Sequence, residues 1–371
     1  MDTAPGLTYD GCAKINYKDM DPCKVEGQKA GLEVAQALGF PEITRTRGES
    51  AYVFRTPHGE LMAQVVEGLG SENRVADWLY ENRDLNFFRE ISWSNTATAL
   101  NDLITTGAAP WNYMMFLAVG ASSWFQDERR RLAVIEGCKL ACLTAKCSYG
   151  GGESQTLTDG QVSEKSFVMA GSATGVFHKE WHLIDPARIA AGDSIILVES
   201  SGVHDNGISL LRKIAEQLPK GYDTLLSDGT LFGSTILKAT HIYAPYMAAL
   251  LANRIVPHYA VYISGHGWCK LMRANQPFEY EIDTLPREQP IFPFIQIAGP
   301  VNIRNMYKTF NMGAGLALYV APEDEELAIN LAGSSGCTAH RGGQVRKSDR
   351  KKVSILPVDI RFDESDLQIR C

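Results

Sequence analysis

The chain has 371 residues, of which 45% are hydrophobic and 21% charged. That is an ordinary globular composition, with enough length for two domains and a sizeable core. A formal net charge of −7 argues against a broad nucleic-acid or anionic-membrane surface as the main function.

Residues 1–14 carry no basic segment followed by an apolar run, so no signal peptide is expected. The most apolar segment, WNYMMFLAVGASSWF (111–125), is too short for a membrane span and is broken by Gly120 and two serines. The eight cysteines form neither CxxC pairs nor a disulfide framework. Cys138, Cys142 and Cys147 read as small core residues rather than metal ligands. These features predict a cytoplasmic protein with reduced thiols and no membrane partner.

In chain order, 26–39 reads as a helix ended by Gly39. Two β-like runs, 50–56 and 60–68, flank the turn signal PHG. A helix over 94–108 is stopped by Gly107, and Pro110 leads into a strand at 112–119. A long amphipathic helix, 127–147, delivers the chain into what reads as a glycine loop, SYGGGESQTL (148–157), and a strand follows at 166–177.

The polar, proline-containing passage 178–193 marks a domain boundary at about residue 180, dividing the chain into 1–180 and 181–371. The second half opens with a strand at 194–200, a loop SGVHDNG and a helix at 208–218. Another helix is predicted at 243–254, and strand-like runs at 293–299, 315–321 and 352–362. The basic stretch HRGGQVRKSDRKK (340–352) reads as a solvated loop. Strands alternating with helices in both halves predict a two-domain α/β or α+β protein.

Four glycine-bearing stretches, 65–76, 149–155, 199–213 and 310–320, suggest backbone that approaches a ligand closely. None is a Walker loop or a complete dinucleotide fingerprint. Phosphates favour backbone N–H donors, helix N-termini, cations and, through Mg2+, carboxylates. Glu67, Asp102 and Glu153 lie beside or between these glycines. Asp102 falls inside an apolar helical stretch, where a buried carboxylate needs a partner. His204 precedes an Asp-Asn-Gly turn at a helix entrance, a setting for proton transfer or anion handling. Asn206 is a candidate cap for that helix.

The motifs NDLITTGAAP (101–110), GGGES (150–154), SSGVHDNGISLLRK (200–213), THIYAP (240–245) and FNMGAGL (310–316) together resemble the aminoimidazole ribonucleotide synthetase (phosphoribosylformylglycinamidine cyclo-ligase) family. The resemblance runs from about residue 60 to 320. It implies an α+β fold of two α/β-like halves. The N-terminal half would form an intersubunit β-barrel in a homodimer, and the C-terminal half a mixed sheet packed with helices. It also implies ATP and Mg2+ as cofactors and a small nucleotide substrate. ATP would phosphorylate the formyl oxygen of formylglycinamidine ribonucleotide, and intramolecular nitrogen attack would close the imidazole ring. Other ATP-using enzymes of the wider superfamily, and a non-catalytic nucleotide-binding relative, remain as alternatives.

Residue by residue, the resemblance makes Glu67, Asp102 and Glu153 metal residues. It makes Gly68, Gly70, Asn101, Gly151, Gly152, Asn311 and Gly313 cofactor contacts, and His204 and Asn206 neighbours of the reacting groups. The chain also departs from the family. Glu72 replaces a phosphate-steadying lysine, and an anion there should repel phosphates, so Arg74 is the candidate replacement. Ser94 stands where an aspartate is usual, and His266 where a glycine is usual.

Overall fold

The structure is a computed structural model that describes residues 16–370. It opens with a long helix, α1 (Tyr17–Leu38), capped by Asn16 and ended by Gly39 in the left-handed conformation. Then come β1 (Tyr52–Arg55), β2 (Leu61–Gly68), α2 (Glu72–Arg83), α3 (Phe88–Ile104), β3 (Ala109–Val119), α4 (Glu128–Ala145), β4 (Ser148–Thr156) and β5 (Phe167–Val176). These strands form one sheet in the order β1-β2-β5-β3-β4, antiparallel except for the β3–β4 pair. α3 and α4 pack on each other, and α3 lies against the sheet. α3 is buried on nearly every side, which explains why its sequence carries no single apolar stripe. The opposite face of the sheet is bare, with Val66, Met114 and Val168 exposed on three neighbouring strands.

The glycine run is not a loop. α4 ends at Lys146 in the left-handed conformation, and the Cys147 N–H closes back on the Cys142 carbonyl at 2.9 Å. Ser148 already pairs with Asn112, so SYGGGESQT is the edge strand β4. Gly151 and Gly152 have φ 83° and 154° where the register with β3 shifts. A Cβ on Gly152 would lie 1.7 Å from the Met115 carbonyl oxygen. What approaches Gly152 so closely is the neighbouring strand.

The second half contains β6 (Ser194–Glu199), α5 (Ile208–Gln217), α6 (Phe232–Ile236), α7 (Ala244–Ala252), β7 (Tyr259–Tyr262), β8 (Phe278–Ile282), α8 (Ile291–Ala298) and α9 (Ile303–Thr309). β9 (Ala314–Val320), α10 (Glu325–Ser334), β10 (Ala339–Lys347), β11 (Lys352–Ile355) and β12 (Ile360–Asp363) complete it. Its sheet runs β12-β11-β8-β10-β6-β9-β7, with β11 and β8 parallel. The whole is a mixed α+β fold built on two sheets.

Two expectations for this half are corrected. Residues 293–299 lie in and just after α8, not in a strand. Ile291, Phe292 and Ile295 are buried while Ile297 is exposed, a helical spacing that so short an apolar run hides. The basic stretch 340–352 is mostly the inner strand β10, flanked by β6 and β8. Both arginines of β10 are matched by acids across the sheet: Arg341 with Asp283 at 3.0 Å, and Arg346 with Glu281 at 2.9 Å. A strand with charges at its ends and paired neighbours resembles a solvated loop in composition alone.

Candidate active site

The two halves meet along α3. Its turns present Ser94, Thr98, Asn101 and Asp102, at helical spacing, to loops of the second half. The Trp93 indole donates to the Thr240 carbonyl at 2.7 Å, and the Thr240 N–H donates to Ser94 Oγ at 3.0 Å. The Asn101 amide donates to the His241 carbonyl at 2.7 Å and accepts from the Tyr243 N–H at 2.9 Å. Asn101 and Ser94 therefore use their polar groups to dock the 240–243 segment.

The loop 200–207 enters from the same side. His204 and Asp205 sit at φ 50° and 63°. Asp205 accepts from Thr98 at 3.0 Å and from Thr240 at 3.1 Å. Asp205 also meets Glu72, the first residue of α2, and burial raises both carboxyl pKa values, Glu72 well above the usual range. Two buried carboxyls in contact cannot both ionise cheaply. Glu72 is thus held protonated and inward, and the expected anion opposing phosphates is absent. Arg74 turns elsewhere: it lines a surface cleft of about 500 Å3 with Asp77, Trp78, Arg212 and Tyr222. The compensation expected of Arg74 has no support in this geometry.

His204 is buried, and its Nε2 accepts from the Ser201 N–H at 2.9 Å. That leaves the ring hydrogen on Nδ1, which has no partner among the described residues. Burial lowers its pKa to about 3, with His241 and Lys238 adding to the shift. Held neutral by burial, His204 anchors the loop through its Nε2. Asn206 does not cap α5, whose N-cap is Gly207. Its amide donates instead to the His204 carbonyl at 2.6 Å. Asn311 is fully buried and joins Ser200 Oγ (3.0 Å), the Gly202 carbonyl (2.8 Å) and the Gly313 N–H (2.9 Å). Asn311 is a brace between loops, and Gly313 follows it at φ 98°. Gly68 closes β2, and Gly70, at φ 73°, has open space on its Cβ side.

The strongest electrostatic feature lies beside this junction. Glu67 points from β2 toward Asp102 on α3, and burial together with the Asp102 charge raises its pKa to about 8. Asp102 is 3% exposed, and its Oδ1 has no hydrogen-bond partner among the described residues. From the second half, Lys270 hydrogen-bonds Ser264 and faces both carboxylates, its pKa lowered chiefly by burial. Arg273, close behind, donates to the Gly48 carbonyl at 3.0 Å and to Ser50 at 2.7 Å. Lys270, Arg273 and Asp205 went unread in the sequence. Lys270 and Arg273 lie three and six residues beyond Gly267, and only their place just after the turn at 263–267 could have flagged them.

Glu153 does not join this group. It stands on β4 opposite Phe116, and its neighbours Met114 and Ala170 share the bare face of the sheet. Glu67 lies on the other face, toward α3. Gly151 and Gly152 belong to the same edge strand. Among the described residues, no three His, Cys, Asp or Glu side chains are grouped to hold a metal.

Comparison with known proteins follows this division of the chain. Residues 48–177 match the description "AIR synthase related protein, N-terminal domain" and residues 190–355 its C-terminal domain. A phosphoribosylformylglycinamidine cyclo-ligase of Gloeothece citriformis is 28% identical over 346 residues, covering 86% of this chain and 96% of that protein. One of Synechococcus is 29% identical over 340 residues, covering 90% and 94%. Among solved structures, the HypE–HypF complex gives a TM-score of 0.60 at 13% identity over 90% of this chain and 98% of that chain. AaThiL complexed with AMPPCP and TMP gives 0.58 at 14% identity, over 86% and 91%. Thermotoga maritima PurL complexed with FGAR gives 0.57 at 13% identity, over 90% and 49%.

Proposed function

The chain belongs to the AIR synthase related protein family, whose two domains it carries in order. From that premise we propose that it is an ATP-dependent cyclo-ligase. It closes formylglycinamidine ribonucleotide to aminoimidazole ribonucleotide, a ring-forming step of purine synthesis. The observation that carries this reading is end-to-end likeness to named cyclo-ligases over more than nine-tenths of their length.

In this reaction the γ-phosphoryl of ATP is transferred to the formyl oxygen. An amidine nitrogen then attacks the same carbon, the C–O bond breaks, and inorganic phosphate leaves with the oxygen. An amide oxygen is a poor leaving group, and phosphorylation makes it a good one. Most of the catalysis is therefore positioning and charge stabilisation.

The residues fit a nucleotide-borne Mg2+ at one point. Asp102 offers a buried oxygen without a hydrogen-bond partner among the described residues, with Glu67 beside it, and hard oxygen donors suit Mg2+. When bound, the metal would neutralise phosphate charge there. The chain supplies the rest. Lys270 and Arg273 place positive charge opposite the two acids, Gly70 leaves open backbone before α2, and α3 fixes both halves around them. Burial of Asp102 and Lys270 excludes water there, which strengthens their interaction.

We propose further that the bare sheet face bearing Val66, Met114 and Val168 is covered by a second copy, closing an intersubunit barrel. Glu153 and the glycines of β4 lie on that side, so any contact of Glu153 with phosphates is made in the dimer. The domain boundary falls within 177–193, between the two sheets.

The test is purified protein with formylglycinamidine ribonucleotide, ATP and Mg2+. One phosphate released per aminoimidazole ribonucleotide formed is the expected result. Phosphate release that ignores the ribonucleotide would remove this reaction and leave another acceptor in its place.

A further inference from the structure

The cleft that receives Arg74 lies between the two halves. Arg74, Asp77, Trp78 and Glu81 recur at helical spacing on α2 and share one face of it. Arg212, Ala215 and Glu216 do the same on α5, and Tyr222 follows that helix. The two faces line one space of about 500 Å3, inside the range of roughly 300–1,000 Å3 typical of small-molecule sites. Contacts between the halves tie both ends of α2. Ser71 Oγ lies 3.4 Å from Ser209 Oγ, and Arg83 Nε donates to Asp223 at 2.8 Å.

The acids of this cleft already have cations. Asp77 accepts from Ser166 and stands 4.0 Å from Arg130. Glu81 lies 3.7 Å from Arg130 and 3.9 Å from Lys165, and Glu216 pairs with Lys213 at 2.7 Å. Arg74 and Arg212 make no ion pair among the described residues. Arg74 influences Asp77 from beyond ion-pair distance, and Arg212 neighbours Tyr222. A guanidinium stays charged at any working pH. Two of them left unmatched in one cleft favour a dianion. A phosphate monoester carries about −1.5 to −2 at pH 7, where a carboxylate carries one charge. Trp78 and Tyr222, both half-buried, stand beside the arginines with ring centroids 5.1 Å apart at 58°. They offer a planar ring an apolar surface.

We propose that this cleft binds a planar ring carrying a phosphate monoester, of nucleoside monophosphate size. Arg74 and Arg212 take the phosphate, and Trp78 and Tyr222 take the ring. None of the lining residues belongs to the Glu67–Asp102–Lys270 cluster, and the site does not depend on the cyclo-ligase reading. α2 begins at Glu72 and α5 follows the 200–207 loop. An occupant therefore ties together two helices that start at the junction of the halves.

The experiment titrates AMP into the full chain by calorimetry, without Mg2+. Phenyl phosphate keeps ring and phosphate without the ribose, and inorganic phosphate and adenosine each keep one part. We expect saturable AMP binding, with inorganic phosphate and adenosine weaker by about tenfold or more. Arg74→Gln and Arg212→Gln should each weaken AMP by about tenfold. Arg212→Lys, which keeps the charge, should recover part of the loss. Asp102→Asn should bind AMP like wild type. AMP should slow hydrogen exchange in peptides within 74–83 and 212–223 and leave 263–273 unchanged. Arg74 is exposed, so its variant should melt like wild type and report binding alone.

Titrations that fail to saturate with both AMP and phenyl phosphate overturn the site. AMP binding that survives in both glutamine variants, or that is lost in Asp102→Asn, also overturns it. Inorganic phosphate bound as tightly as AMP overturns the role of the aromatic pair, and adenosine bound as tightly overturns that of the arginines.

Discussion

Glu72 and Asp205 meet inside the protein, one at the start of α2 in the first half and the other in the loop after β6 in the second. Each is buried and each is raised in pKa by that burial. Neither is offered a cation by the side chains that bond Asp205, which are the hydroxyls of Thr98 and Thr240. With the proton on Glu72, the pair carries one negative charge instead of two and joins the halves.

Glu72→Gln should therefore be tolerated, within about 1 kcal/mol of wild type at pH 6, because it mimics the protonated acid. Above neutrality the wild-type pair is pressed to lose its proton, so the variant should become the more stable of the two. Glu72→Ala should lose about 1–3 kcal/mol by leaving Asp205 unmatched in the interior. Thermal melts across pH check the crossover. A Gln variant much weaker at every pH would show that Glu72 is ionised.

His204 gives an opposite pH dependence. Its folded pKa of about 3 lies below the ordinary value of 6.5, so the unfolded chain binds the proton more readily. Stability is fully present above about pH 6.5 and is lost as pH falls toward 3, at up to about 1.4 kcal/mol per pH unit. His204→Gln should lower stability at pH 7.5 yet flatten this acid slope. A slope unchanged in the variant would assign it to other groups.

Asp102→Asn keeps the shape of the side chain and removes its charge. MgATP affinity measured by calorimetry should fall at least tenfold, about 1.4 kcal/mol, with the melting temperature nearly retained. The cluster around Glu67 and Lys270 should respond as well: without the Asp102 charge, the Glu67 pKa falls. Affinity equal to wild type would take Asp102 out of the nucleotide site.

Gly152→Ala tests the edge strand. The added Cβ would meet the Met115 carbonyl oxygen at 1.7 Å, so backbone must shift. We expect a loss of about 3 kcal/mol in denaturant unfolding. Gly151→Ala, with open space around its Cβ, meets only the conformational cost of φ 83° and should lose about 1 kcal/mol.

Met114→Glu places a charge in the middle of the bare sheet face. Sedimentation should then show monomer where wild type shows dimer, with the monomer's circular dichroism unchanged. A variant that sediments like wild type would move the interface elsewhere.

Much of the framework was legible in the sequence. The strands at 60–68, 112–119, 194–200 and 315–321 announced themselves by apolar runs between turn residues, and 166–177 by a run rich in small residues. The ends of α1 and α3 were marked by Gly39 and Gly107. Asp102 was readable as a carboxylate out of place in an apolar helix. The misplaced elements share a cause. The glycine run, the basic strand β10 and the short helix α8 all have local compositions that favour one state and neighbours that impose another. Gly152 is extended because Met115 lies against it, and β10 is a strand because Glu281 and Asp283 receive its arginines.

The sequence by itself determined the family, the two-sheet division and the residue types available for phosphate chemistry, since these depend on local pattern and on motif order. Only the tertiary structure decided which of those residues face one another. It set Glu72 against Asp205, turned Arg74 to the surface, put Glu153 on the far side of the sheet, and brought Lys270 to Asp102 across 168 positions of chain. Charge interactions fall off with distance through space and not along the chain, so partners drawn from different strands and loops leave no local mark on either one.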